Sequence, residues 1–117
     1  MANPQPLRVP VLFYRTATGR EPVLEWLRDL GPEDRRAIGR DLMRVQFGWP
    51  VGMPLVRSLK NGLWEIRSTL PSRRIARLML CFHEGKIIAL HAFIKKTRRT
   101  PPEDIEVARQ RMREVTS

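Results

Sequence analysis

The chain has 117 residues, 42% hydrophobic and 29% charged, which suits one domain around a modest core and leaves little room for a second. Lys and Arg number 22 against 12 Asp and Glu, a net charge of +10 with an isoelectric point near 11.3, so a polyanionic partner is implied, either nucleic acid or an anionic membrane surface. The single cysteine, Cys81, excludes an intramolecular disulfide and fits a reducing, cytoplasmic setting, and no apolar run approaches the length of a membrane span.

The first eight residues, Met1 to Arg8, lack the charged start and apolar run of a secretory leader, so none is expected. Residues 9–14, Val-Pro-Val-Leu-Phe-Tyr, read as a short strand, and Pro10 assigns it to a sheet edge. A helix is expected over Glu21–Leu30, with Pro22 in its first turn, Leu24, Leu27 and Leu30 on one face, and Gly31 after its end. Pro32 opens a second helix, which carries Glu33 and Asp34 at its positive end and the stripe Ile38, Leu42, Val45. Residues 50–58 read as loop. Three strands are expected at about 62–68, 74–83 and 86–95, the last two joined by a turn at Glu84-Gly85. Thr100-Pro101-Pro102-Glu103 has the form of a capping box, with Thr100 as N-cap of a final helix whose stripe is Ile105, Ala108, Met112, Val115. The order β-α-α-β-β-β-α predicts a single α+β domain over 1–117, with an antiparallel-dominated, one-sided sheet.

The charge is not evenly spread. Arg57 to Arg99 holds eleven basic residues and only Glu65 and Glu84 as acids, or +9; the rest of the chain holds eleven against ten, or +1. Strand alternation sharpens this. Even positions (Trp64, Ile66; Ala76, Leu78, Leu80, Phe82; Ile88, Leu90, Ala92, Ile94) are apolar and should face the helices. Odd positions bring Arg67, Arg77, His91 and Lys95 to one exposed face, provided that the strands carry no bulge. Lys60, Arg73, Arg74, Lys96, Arg98 and Arg99 would rim it and contact RNA, with Arg57 and Lys86 also steering it.

Such a face suits phosphate chemistry without a metal, because two isolated carboxylates cannot hold a hard cation. No cofactor is implied. In a metal-free ribonuclease the substrate's 2′-OH attacks the adjacent phosphodiester. It needs a base, cations for the phosphorane and an acid for the leaving 5′-oxygen. Arg binds two phosphate oxygens at once. A lysine crowded by cations is pushed towards a useful base, and histidine is a side chain suited to be acid or base, which makes His91 a candidate. DNA lacks the 2′-OH, so the route specifies RNA. Structural roles compete: Arg67 could simply pair with Glu65, His91 could be a hydrogen-bonded strand residue, and Lys95-Lys96 could only position RNA. Cys81 reads as core, as do Trp26, Trp49 and Trp64. A non-catalytic RNA-binding module is the alternative. A membrane-surface role has no basic amphipathic helix to support it.

Two motifs carry a family resemblance. Leu59-Lys60-Asn61-Gly62-Leu63-Trp64-Glu65-Ile66-Arg67 resembles the L-x-x-G-L-W-E-L-R signature of phage-derived HigB-like toxins, a branch of the RelE superfamily. His91-Ala92-Phe93-Ile94-Lys95-Lys96-Thr97 with Arg99-Thr100-Pro101 is similar to that branch's H-x-F-x-K-K-T-x-x-T-P, and Glu21 to Leu27 is similar to its first helix. The resemblance implies a RelE-like fold and the toxin of a type II toxin–antitoxin pair, an endoribonuclease that cleaves mRNA, often on the ribosome. It implies an antitoxin with a helix-turn-helix domain, the pair binding operator DNA together. It also implies catalytic roles for Arg67, Arg77 and Lys95 or Lys96. The chain departs from its relatives at Ala76-Arg77, where they often read Tyr-Arg; its only tyrosine is Tyr14.

Overall fold

The computed structural model describes residues 8–117, so the stretch inspected for a leader lies outside the described residues except for Arg8. In chain order the elements are β1 (Val11–Phe13), α1 (Pro22–Arg28), α2 (Pro32–Gly48), β2 (Val56–Ser58), β3 (Trp64–Thr69), β4 (Ile75–His83), β5 (Lys86–Ile94) and α3 (Pro102–Thr116). The class is α+β, as expected. The five strands form one sheet in the order β1-β5-β4-β3-β2. β1 lies parallel to β5, and every other neighbouring pair is antiparallel. Proline dictates β1's edge position: Pro10 has no N–H to give, but its carbonyl accepts from Ile87 N–H at 2.8 Å.

Three expectations are corrected. The segment 50–58 is not all loop, because Val56, Arg57 and Ser58 pair with Ile66, Glu65 and Trp64 as the short strand β2. The sheet is not one-sided either. α1 and α2 cover one face through Val23, Leu27, Ile38 and Val45, which pack on Ile66, Leu78 and Leu80. α3 covers part of the other through Ala108, Ile105 and Met112, which pack on Leu63, Met79, Cys81 and Leu90.

The third correction follows from a bulge. Met79 pairs with His91 but Leu80 pairs with Ala89, so Leu90 is one residue too many on β5. Past that point the alternation reverses. Ile88 and Leu90, expected under α1 and α2, lie under α3 instead, and Ile87 and Ala89 take the α1/α2 side. The surplus residue leaves a carbonyl off the ladder, and Arg111 on α3 donates to it at 2.8 Å. Arg109, two residues earlier, donates to Leu59 O at 2.7 Å and fixes the turn before β3. That turn carries three left-handed residues, Lys60, Asn61 and Gly62.

The three tryptophans belong to the core side, as read from sequence. Trp26, Trp49 and Trp64 pack against the α1/α2 cluster, with Trp49 edge-on to Trp64 at 4.9 Å between ring centres. Asp34, in the first turn of α2, is buried and ties the β3–β4 turn by accepting from Ser72 Oγ at 2.7 Å and Arg74 at 3.1 Å.

Candidate active site

On the face shared with α3, the half of the sheet beyond that helix holds the basic residues. Arg67 on β3 stands opposite Arg77 on β4, and Arg77 stands opposite Phe93 on β5. The bulge precedes His91, so the parity of His91, Phe93 and Lys95 is intact. Arg67, Arg77, His91 and Lys95 therefore share one face, as alternation predicts.

Their surroundings differ sharply. Arg67 is exposed, whereas Arg77 is only 3% exposed. A lone cation there would be costly. It is matched by Glu65, equally buried, at 3.4 Å. Thr100 sits between them, donating to Glu65 Oε2 at 2.8 Å and accepting from Arg77. Arg57 reaches the same cluster from β2, at 3.0 Å from Thr100 Oγ1 and 3.4 Å from Glu65. The other arm of Arg77 donates to Arg98 O at 3.0 Å, while its Nε has no partner among the described residues. Three strands and the loop 95–101 are thus joined through one carboxylate. Thr100 is not the helix N-cap: that place falls to Pro101, with no side-chain cap, because the Thr100 hydroxyl is committed to Glu65 and the arginines.

Lys95 follows the end of β5, half-buried, its N–H donating to Ile75 O at 2.7 Å. Burial holds its ammonium below the ordinary lysine value. The guanidinium groups of Arg67, Arg77 and Arg98 push the same way, against a weaker opposing pull from Glu65. Beside it a shallow cleft of about 390 Å³ is lined by Arg73, Arg74, Lys95, Lys96, Thr97 and Arg98. Arg73 holds a left-handed backbone in the β3–β4 turn, which brings it beside this cleft.

His91 lies further along the face. Its Nε2 is 2.6 Å from Asp104 Oδ1 in the first turn of α3, and its ring lies 5.6 Å from Phe93. Sequence reasoning missed Asp104, since nothing in the spacing of residues 91 and 104 signals that α3 folds back over β5. It also missed Thr100 as the link between Glu65 and Arg77, although the Thr-Pro of the second motif marks it. Lys60 and Lys86 are not part of the assembly: they sit at turns at the opposite end of β3 and β5. Arg99 is exposed on the loop before α3. Among the described residues, no group of three or more His, Cys, Asp or Glu is arranged to hold a metal ion, and no helix is long and apolar enough to cross a membrane.

The model of the family described as Phage derived protein Gp49-like (DUF891) matches residues 25–113, which includes α2, the whole basic face and most of α3. The chain belongs to the Gp49-like family. This is a RelE/HigB-like toxin family, and membership is consistent with a toxin that pairs with an antitoxin. No curated protein matches the chain significantly. In this Gp49-like chain, the Glu65–Arg77–Thr100 cluster connects the two motifs that carry the resemblance, one supplying Glu65 and Arg67, the other Lys95 and Thr100.

Proposed function

We propose that this Gp49-like protein is the HigB-like toxin of a type II pair, a metal-independent endoribonuclease acting on mRNA at the ribosome. The observation that carries this reading is Lys95, an ammonium held below its ordinary value among Arg67, Arg77 and Arg98 on an open face. A lysine so placed is neutral more often than an ordinary one and can take a proton as the base. Lys95 removes the proton of the 2′-OH, the 2′-oxygen bonds to phosphorus, and the bond from phosphorus to the 5′-oxygen breaks. His91, held by Asp104, gives a proton to that leaving oxygen. Arg67 binds the phosphorane oxygens directly, and Arg77, paired with Glu65, holds the strands beneath it in position. Arg73, Arg74, Lys96, Arg98 and Arg99 guide the strand; Lys60, from the far turn, extends the basic track. An antitoxin with a helix-turn-helix domain restrains the toxin, and operator DNA is bound only by the pair, in the cytoplasm.

The test is incubation of the protein, stripped of metal with chelator and desalted, with ribosomes and mRNA in the magnesium that intact ribosomes require. New 5′ ends, absent with Arg67→Ala, are expected. Salt-sensitive RNA binding with the RNA left intact would instead establish the non-catalytic module.

A further inference from the structure

A second cleft adjoins Arg67 from the other side. It has a volume of about 700 Å³ and lies between α2, the loop before β2 and the free margin of β3. That size is within the range of about 300–1,000 Å³ typical of small-ligand sites. Its lining includes Arg67 and Thr69 of β3, Met53 and Leu55 of the loop, and Asp41 and Arg44 of α2. β2 ends its pairing at Val56–Ile66. Leu55 O then accepts from Arg67 N–H at 2.8 Å, and beyond this the outer edge of β3 opens into the cleft.

Three features specify an occupant. Arg67 belongs both to this cleft and to the cationic face around Lys95, so a chain whose phosphate rests on Arg67 has its next group directed here. The Met53 thioether is 75% exposed and polarisable, suited to lie against a flat ring. Asp41 and Arg44 form an ion pair at 3.6 Å, which places an acceptor and a donor fork next to each other in the lining. A guanine offers the complement of both: adjacent N–H donors for a carboxylate, and O6 with N7 for a guanidinium. Uracil offers neither adjacent donors nor the N7 acceptor.

We infer that this cleft is a nucleobase subsite, which takes the base flanking the phosphate held by Arg67 and prefers guanine. The inference rests on the reading of the Lys95 face as an RNA site, but it concerns binding and does not require cleavage. The probes are short 2′-O-methyl oligonucleotides, which cannot be cut by 2′-OH attack, with each of the four bases next to a central phosphate. Fluorescence anisotropy on the full chain measures their affinities. Guanine is expected to bind about tenfold tighter than uracil, the scale of one good bidentate contact. Asp41→Asn should bring the two within about threefold of each other while leaving uracil binding unchanged. Met53→Ala, at an exposed position that does not support the core, should weaken all four bases alike. Equal affinity for the four bases in the wild-type protein overturns the inference, as does a guanine preference that survives Asp41→Asn, or base affinities that Met53→Ala leaves unchanged. Absent cleavage with intact guanine discrimination would sink the ribonuclease reading and leave the subsite standing.

Discussion

Arg67 and Arg77 are register partners across β3 and β4, yet one points into solvent and the other is buried against Glu65. Two like charges directly opposite each other destabilise a sheet unless one is neutralised. Glu65, Thr100 and the Arg98 carbonyl perform that neutralisation for Arg77 and leave Arg67 free of an ion-pair partner among the described residues. The two arginines therefore have separable roles.

Substitution should reveal the separation. Arg67→Ala is expected to cut RNA cleavage by about 10²–10³, the usual loss for one charge-stabilising donor, with an unchanged melting temperature. Arg77→Ala leaves Glu65 buried with only Arg57 nearby, and should cost about 3–5 kcal/mol of stability. Thermal and urea unfolding of both variants, alongside cleavage rates, distinguish them; equal destabilisation would contradict the separation.

Thr100 makes a sharper test because its change is small. Thr100→Ala removes the hydroxyl shared by Glu65, Arg57 and Arg77 and should cost about 1–3 kcal/mol, whereas Thr100→Ser keeps the hydroxyl and should lose much less. Were Thr100 an ordinary helix cap, Thr100→Asp would also be well tolerated. Here a second carboxylate beside Glu65 is expected to be more damaging than alanine, as read by urea midpoints.

Lys95 predicts a pH profile. Only its neutral form takes a proton, so the cleavage rate should rise with pH and level off below the ordinary lysine value. Arg67→Gln removes one of the cations that hold it down, and the remaining slow activity should level off at higher pH. Stability has the same sign: the folded value lies below the unfolded one, so the contribution of this group becomes more favourable as pH climbs from the folded value to the unfolded one. Rate–pH curves and the nitrogen chemical shift of the Lys95 side chain report this; a midpoint that does not move in Arg67→Gln would refute it.

Cys81 is inert by the same physics. Burial pushes its thiol up to about 11, so iodoacetamide should leave the native protein unlabelled at pH 7.5 over hours. Labelling should become fast in urea. Mass spectrometry of the folded chain reads the outcome directly, and rapid native labelling would contradict the packing of Cys81 beneath α3.

Local signals in the sequence were faithful where the structure is local. Proline and glycine punctuation marked α1 and α2 to within a few residues, and Glu84-Gly85 marked the β4–β5 turn. β2 was hidden because three residues are too few to show alternation, and because its pairing with β3 is set by the turn at Lys60–Gly62. The bulge was hidden because either parity of β5 is apolar: Ile87 and Ala89 serve on one side as well as Ile88 and Leu90 on the other. At the site, alternation placed Arg67, Arg77, His91 and Lys95 together. Periodicity cannot reveal which arginine is buried, since that depends on Thr100 arriving from 23 residues away in sequence. The capping-box reading of Thr100 failed for the same reason: a charged buried partner outcompeted a local backbone N–H.

The surplus residue of β5 has one more consequence. Leu90 and His91 are consecutive, yet both serve the side that carries α3, one through the hydrophobic cluster and the other through Asp104. Shortening the strand by Leu90 alone would restore a regular ladder without turning Lys95 away from Arg67. The segment is thus a splice between two independently registered half-strands. One half is clamped to β1 and the other to β4 through the Phe93–Arg77 pair, so a residue gained or lost here would leave the reactive face in phase.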